Sequence, residues 1–374
     1  MNKIYLDHAA TTYLYPEVID ELLAVATHEF GNPSSTYALG RSAKVILENS
    51  RKKIASYLNA SSQEIIFTSG GTEANNWVIQ NAVQKLEVKR IISTRTEHHA
   101  VLYPVLEVQN TTDTEVVFLK VSPQGNIDIQ ELEKLLEEKV PTLVSLMHVN
   151  NETGVIHDIQ LIGDLCKKFE AYFHTDTVQS MGKTHFNLQK IPVDFMTASA
   201  HKFHGPKGVG FLFVRKNVAM QSLFLGGEQE KGLRAGTEAL HQIAAMTKAL
   251  EMSYTFLDEN RNKIENLRSA TIQLFDKHMS GFKINGSVDG FYPILNIQLP
   301  LPEEKTNMLL FALDLKGIAV SRGSACQSGS SKPSHVLAEM LSDDELKKPS
   351  IRISFDASNT VEEIIFLIEA LKTI

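Results

Sequence analysis

Up to about residue 240, short apolar runs alternate with longer amphipathic segments. Residues 64–68, 90–93, 116–119, 142–147 and 210–214 are brief and rich in β-branched or aromatic side chains, as buried strands are. Between most of them, residues 42–58, 127–139 and 158–169 repeat apolar side chains at helical spacing, which predicts amphipathic helices. Strands alternating with helices form an α/β layer around a mostly parallel sheet, and the ligand of such a sheet sits at the strand ends. Beyond residue 240 the texture changes. A long polar helical stretch runs from Gln242 towards His278, a strand-like run follows at 292–299, and a last helix covers 361–372. These elements predict a separate C-terminal lobe.

A chain of 374 residues has room for a large core and a smaller second one. Its 43% hydrophobic and 22% charged residues are those of an ordinary globular protein, and no run approaches the roughly 18 apolar residues of a membrane span. The first residues show no basic stretch leading into an apolar block, so the expected address is the cytoplasm. A net charge of −7 argues against a general binder of nucleic-acid backbones, which carries a basic surface. Two cysteines, Cys166 and Cys326, cannot build a disulfide framework, so each is either a core residue or a reactive thiol.

Four polar clusters stand out. Residues 199–208, with His201, Lys202, His204 and Lys207, lie between two strand-like runs. Lys202, flanked by apolar strands, is a candidate to shed its proton and condense with a carbonyl compound; the other reading is a solvated turn bent by Gly205, Pro206 and Gly208. Residues 68–75, Thr-Ser-Gly-Gly-Thr-Glu-Ala-Asn, join a strand to a helix start, where Gly71 and Thr72 suit a phosphate, although an ordinary helix cap accounts for them equally. Asp176 follows a strand-like run, placed either to hold a ring nitrogen protonated or to cap the next segment. Cys326 sits in the Ser- and Gly-rich run 321–334, either as an exposed nucleophile or as an inert surface thiol, whereas Cys166 belongs to an apolar helix face.

Taken together these stretches resemble the cysteine desulfurases, pyridoxal-phosphate enzymes of the class V aminotransferase family. The likeness extends over nearly the whole chain and rests on motifs in order: residues 5–12, 31–35, 68–75, 96–98, 147–154, the Lys202 segment, 234–237 and the Cys326 loop. It implies the aspartate-aminotransferase-like fold type I. A large domain over 16–250 would hold a mostly parallel seven-stranded sheet, and a small α+β domain from 1–15 and 251–374 would carry the Cys326 loop. It also implies that Lys202 binds pyridoxal 5'-phosphate as an imine, that Asp176 pairs with the ring nitrogen and Gln179 with the phenolic oxygen, and that His98 stacks on the ring and moves protons. Gly71, Thr72, Ser199 and His201 would hold the phosphate, with Thr237 from the partner of a homodimer. Asn151 and Arg352 would orient L-cysteine, a guanidinium being able to grip a carboxylate with two parallel hydrogen bonds. Cys326 would take the sulfur as a persulfide, leave alanine, and pass the sulfur to an acceptor protein for iron–sulfur clusters or tRNA thiolation.

The sequence departs from the family pattern at three places. Phe355-Asp356-Ala357 follows Ile351-Arg352-Ile353-Ser354 where a glycine is common, which bears on the local turn. Tyr37 replaces a frequent histidine, and Thr177 replaces a small residue next to Asp176, which would crowd one face of the ring. Other readings of the same residues are a selenocysteine lyase, an aminotransferase-like enzyme without the sulfur step, and a catalytically idle relative that binds partner proteins. No spacing of His98, His99 and His201 matches a known metal motif.

Overall fold

The computed structural model describes residues 3–306, 308–322 and 333–374; the Cys326 assignment lies outside the described residues. Twelve strands are found among them: β1 Ile4–Tyr5, β2 Ile65–Thr68, β3 Arg90–Thr94, β4 Glu115–Leu119, β5 Thr142–Ser145, β6 Tyr172–Asp176, β7 Phe195–Ser199, β8 Gly210–Val214, β9 Lys283–Ile284, β10 Ile294–Gln298, β11 Ile318–Ala319 and β12 Ser350–Ser354. The helices are α1 Pro16–His28, α2 Ala38–Tyr57, α3 Gly71–Gln84, α4 His99–Thr111, α5 Ile129–Glu137, α6 Ile159–Lys168, α7 Leu240–Thr255, α8 Leu257–His278, α9 Leu309–Leu315, α10 His335–Met340, α11 Asp343–Lys347 and α12 Val361–Lys372.

Seven strands form one sheet in the order β2-β8-β7-β6-β5-β3-β4. From β7 to β4 every pairing is parallel, while β8 runs antiparallel to both β2 and β7. The result is a mixed, mostly parallel α/β sheet, as the sequence predicts. The inner strands are buried on both faces, as at Phe195, Met196, Phe211 and Phe213, because helices cover both sides. One face packs on α1, α2 and α7 through Leu47, Ile54, Ile243 and Leu250, and the other on α3 and α4 through Trp77, Val78, Val101 and Val105.

A second core, built on the sheet β12-β10-β9, joins Leu6 of the N-terminal arm to Ile264, Leu295, Ile351 and Leu367. Thr360 and Glu363 form a capping box at the start of α12, and Ile364, Leu367, Ile368 and Leu371 fall on one buried face at helical spacing. In β12 the alternation of strand side chains sends Ile351 and Ile353 into this core and turns Arg352 to the opposite face.

Two expected elements change. The single helix expected from 242 towards 278 is broken at Phe256, because α7 packs on α1 and α2 while α8 packs on α12, so the chain must turn between the two cores. The run expected at 292–299 shortens to Ile294–Gln298.

Candidate active site

Loops following the carboxyl ends of β3, β5, β6 and β7 converge on one cavity of about 220 Å³. It is lined by Gly71, Thr72, His98, Asn151, Asp176, Gln179, Ser199, His201, Lys202 and Arg352, together with Ala9, Ala10, Asn75 and Val178 among others. Parallel strands place the loops after their carboxyl ends on the same edge, which is why residues from 98 to 202 meet there; Arg352 reaches the cavity from β12 of the smaller sheet.

Each side chain is held by local structure. Gly70, with φ +145, makes the turn into α3 that a side chain would strain. A Cβ added at Gly71 would lie 2.8 Å from Val178 Cγ2, so the helix start stays close to the loop after Asp176, with its unpaired N–H groups towards the cavity. Asp176 ends β6; its Oδ1 accepts from Val178 N at 2.8 Å and its Oδ2 from Asn75 Nδ2 at 2.6 Å. Burial pushes its carboxyl up, opposed by those two donors and by Lys202. Lys202 follows β7 in a short 3-10 turn, and its Nζ donates to Ala9 O at 2.6 Å and Ala10 O at 2.8 Å.

Lys202 lies between the expected apolar strands, and two carbonyls of the N-terminal arm receive its N–H groups. His98 caps α4, with Nδ1 accepting from Ala100 N at 3.1 Å. Burial, then Lys202 and His335, lower its pKa to about 4, so near neutral pH the ring is uncharged and carries its proton on Nε2. His201 is likewise lowered to about 4, mainly by burial.

Arg352 is partly engaged. Its guanidinium already meets Asp7, with Nη2 2.7 Å from Oδ1, and donates from Nη1 to Asn151 O at 2.8 Å. Nε has no partner among the described residues, and each Nη carries a second N–H beyond the one used here, so donors remain for a substrate carboxylate. Gln179 donates through Nε2 to Ala9 O at 3.0 Å, and its Oε1 has no partner among the described residues. Thr177 does not crowd the cavity: it is fully buried and bonds Thr197 O at 2.8 Å, and Val178 lines the cavity in its place.

Thr237 lies elsewhere, in a smaller pocket with Ser69, Gly208 and Arg234. Cys166 is buried in α6 and burial pushes its thiol up, in keeping with a core residue. Sequence reasoning gave no role to Asn75, Asp7 or the carbonyls of Ala9 and Ala10. Asn75 and Asp7 stood inside motifs already noted, but their bonds to Asp176 and Arg352 span 101 and 345 positions and leave no local signal.

Three buried histidines beneath the site carry a stability prediction. Burial lowers His148 and His157 to about 4 and His174 to about 3. The unfolded chain therefore takes up protons first as pH falls below about 6.5. Stability is fully present above that pH and declines towards pH 4. Glu97, Asp176 and Asp194, all raised by burial, act in the opposite direction but are joined against by His8, His98, His99 and His201 as well. The urea midpoint is expected to fall between pH 7 and pH 5; a midpoint that holds or rises over this range contradicts the argument.

The family model described as "Aminotransferase class-V" matches residues 4–367. The chain belongs to the class V aminotransferase family. Among class V proteins, the cysteine desulfurase IscS of Clostridium botulinum is 38% identical over 378 residues, covering 100% of this chain and 95% of its own. A solved NifS-like protein superposes with a TM-score of 0.91 at 33% identity over 100% of both chains. SspA, solved in complex with cysteine, superposes with a TM-score of 0.81 at 28% identity over 96% of this chain and 100% of its own.

Class V enzymes of this kind depend on pyridoxal phosphate, and the cavity fits that group on its own terms. A buried carboxylate held by two neutral donors suits a cationic partner, which a protonated ring nitrogen would supply to Asp176. Two cavity-side atoms, Gln179 Oε1 and Asn75 Oδ1, have no partner among the described residues. The start of α3, with Thr72, Ser199 and His201, offers donors to a phosphate, and Lys202 is the amine to which the aldehyde would attach.

Proposed function

We infer that this chain is a cysteine desulfurase, taking sulfur from L-cysteine and releasing L-alanine. The observation that carries the reading is the meeting of Lys202, Asp176, His98 and the α3 start in one cavity with Arg352 at its wall. When bound, pyridoxal phosphate supplies an aldehyde for the substrate amine and an electron-accepting ring.

The protein's part is to bind, orient and move protons. Asp176 would keep the ring nitrogen's proton in place, and Arg352 and Asn151 would fix the substrate's carboxylate. Gln179 would serve the phenolic oxygen, and Gly71, Thr72, Ser199 and His201 would hold the phosphate. The amine of Lys202 would hold the cofactor and, when free, would move the proton of the substrate's α-carbon. His98, uncharged near neutral pH with its proton on Nε2, would lie against the ring and offer that N–H as a donor.

The sulfur step belongs to Cys326. Its thiolate Sγ attacks the substrate sulfur, an S–S bond forms, and the substrate's Cβ–S bond breaks with its electron pair going to carbon. A proton then completes alanine, and the sulfur stays on Cys326 as a persulfide for an acceptor protein in iron–sulfur cluster assembly or tRNA thiolation. The cytoplasm is the place of this chemistry, where cysteine thiols stay reduced.

Two copies of the chain act as a homodimer, each Thr237 serving the partner's phosphate. The exposed apolar side chains of Leu23, Phe30, Val45 and Leu225, and the distance of Thr237 from the cavity of its own chain, support this arrangement. The division into 16–250 and 1–15 with 251–374 is supported by the two separate cores. Mass spectrometry after incubation with L-cysteine tests the reading: the peptide containing Cys326 gains one sulfur atom, removable by reductant. A peptide without added sulfur while alanine is still released would remove Cys326 from the mechanism.

A further inference from the structure

Asp356 lies two residues past the end of β12, the strand that carries Arg352. Its side chain is buried and fully engaged. Oδ2 lies 3.2 Å from His204 Nε2. Oδ1 accepts from Tyr13 OH at 2.8 Å, from Ser358 N at 3.0 Å and from Ser358 Oγ at 2.6 Å. Burial raises the carboxyl's pKa, but the bonds from His204 and Ser358 outweigh it and hold the group well below the ordinary carboxylate range. The site is thus a charged carboxylate joining the small core to two other segments.

One of those segments is the turn just after Lys202. His204 has φ +64, a left-handed conformation uncommon for a side-chain-bearing residue. It is kept there by its own bonds: N donates to Thr12 Oγ1 at 2.8 Å, Nδ1 donates to Tyr13 O at 3.0 Å, and the ring stacks on Tyr15 at 4.0 Å. Because Tyr13 O can only accept, Nδ1 must carry a proton. Nε2 then faces a carboxylate, so both ring nitrogens point at acceptors.

The other segment is the N-terminal arm, which touches both ends of the reaction site. Ala9 O and Ala10 O receive the N–H groups of Lys202, and Thr12 bonds His201 O through both N and Oγ1. On its other side the arm is fastened to β12 and the turn after it, Ala9 N donating to Ser354 Oγ at 2.8 Å and Asn359 Nδ2 to Tyr5 O at 3.0 Å. Arg352 and Lys202 are therefore linked through a strip of arm, and Asp356 grips that strip at Tyr13 and the Lys202 turn at His204.

We propose that Asp356 is a positioning residue for Lys202: by holding His204 and Tyr13 it fixes where the lysine amine stands relative to Arg352. This rests on the reading of Lys202 as the attachment point of the cofactor. Charge-assisted bonds of this kind are the stronger class, and a displacement of about 1 Å at a reacting group can cost roughly a hundredfold in rate. Partial loosening through the arm is expected to cost about tenfold.

The test compares Asp356→Gly and Asp356→Asn with the unaltered protein. For Asp356→Gly, kcat for L-cysteine falls about tenfold while KM changes less than about twofold. In the cofactor-free chain, the amides of Thr12 and His204 exchange faster with solvent, while those of β7 keep their rates. Asp356→Asn keeps an acceptor for Tyr13 and Ser358 and recovers part of both effects. An unchanged kcat overturns the proposal, as does a loss in which every amide, β7 included, accelerates together. Amide exchange does not involve the cofactor, so unchanged exchange at Thr12 and His204 overturns this proposal alone. Failure of borohydride to fix the cofactor on Lys202 of the unaltered protein overturns the reading beneath it.

Discussion

Replacing Lys202 with alanine lowers alanine release from L-cysteine by roughly 10³-fold or more, because one amine is asked both to hold the cofactor and to move the substrate's proton. The amine is set up for both tasks. Its Nζ is bonded to the carbonyls of Ala9 and Ala10, on the wall of the same cavity as Asp176 and Arg352. Lys202→Arg keeps a positive charge in that place but not a nucleophilic amine, so it is expected to be as inactive as the alanine variant. Purified Lys202→Ala should also fail to bind cofactor in a form that borohydride can fix. Turnover within tenfold of the unaltered protein in either variant would assign the attachment to another group.

Asp176→Asn is expected to lower kcat by about 10² to 10³-fold, the cost of removing one preorganised charge that stabilises a transition state. The geometry makes the effect specific to charge. An asparagine side chain still fits between Val178 N and Asn75, but its amide cannot keep a ring nitrogen protonated. Asn75→Ala is the accompanying measurement: it removes the 2.6 Å bond to Asp176 Oδ2 while leaving the carboxylate, and its effect should be clearly smaller. A drop of less than tenfold for Asp176→Asn, or equal effects from both variants, would argue that the carboxylate is a structural cap at the end of β6.

The motifs around Asp176, Lys202 and Gly71–Thr72 were legible along the chain because each is a local device: a polar loop placed at the end of an apolar strand. Helical periodicity likewise marked α2, α5, α6 and α12, whose buried faces repeat within a few residues. Periodicity failed at Phe256, where α7 and α8 read as one helix, since a change of packing partner leaves no trace in spacing. Lys202 does lie between two buried apolar strands, but the carbonyls of Ala9 and Ala10 that meet its amine leave no mark in the local pattern.

By itself the sequence determined the class of the fold, many of its strands and longer helices, and a short roster of chemically able side chains, because these follow from periodicity and from residue type. Tertiary structure alone decided which of them meet. The bond from Asp7 to Arg352, the two carbonyls at Lys202 and the grip of Asp356 on His204 and Tyr13 all cross hundreds of positions or join two separate cores. Only the folded sheets and the neighbouring arm bring such groups within hydrogen-bond distance.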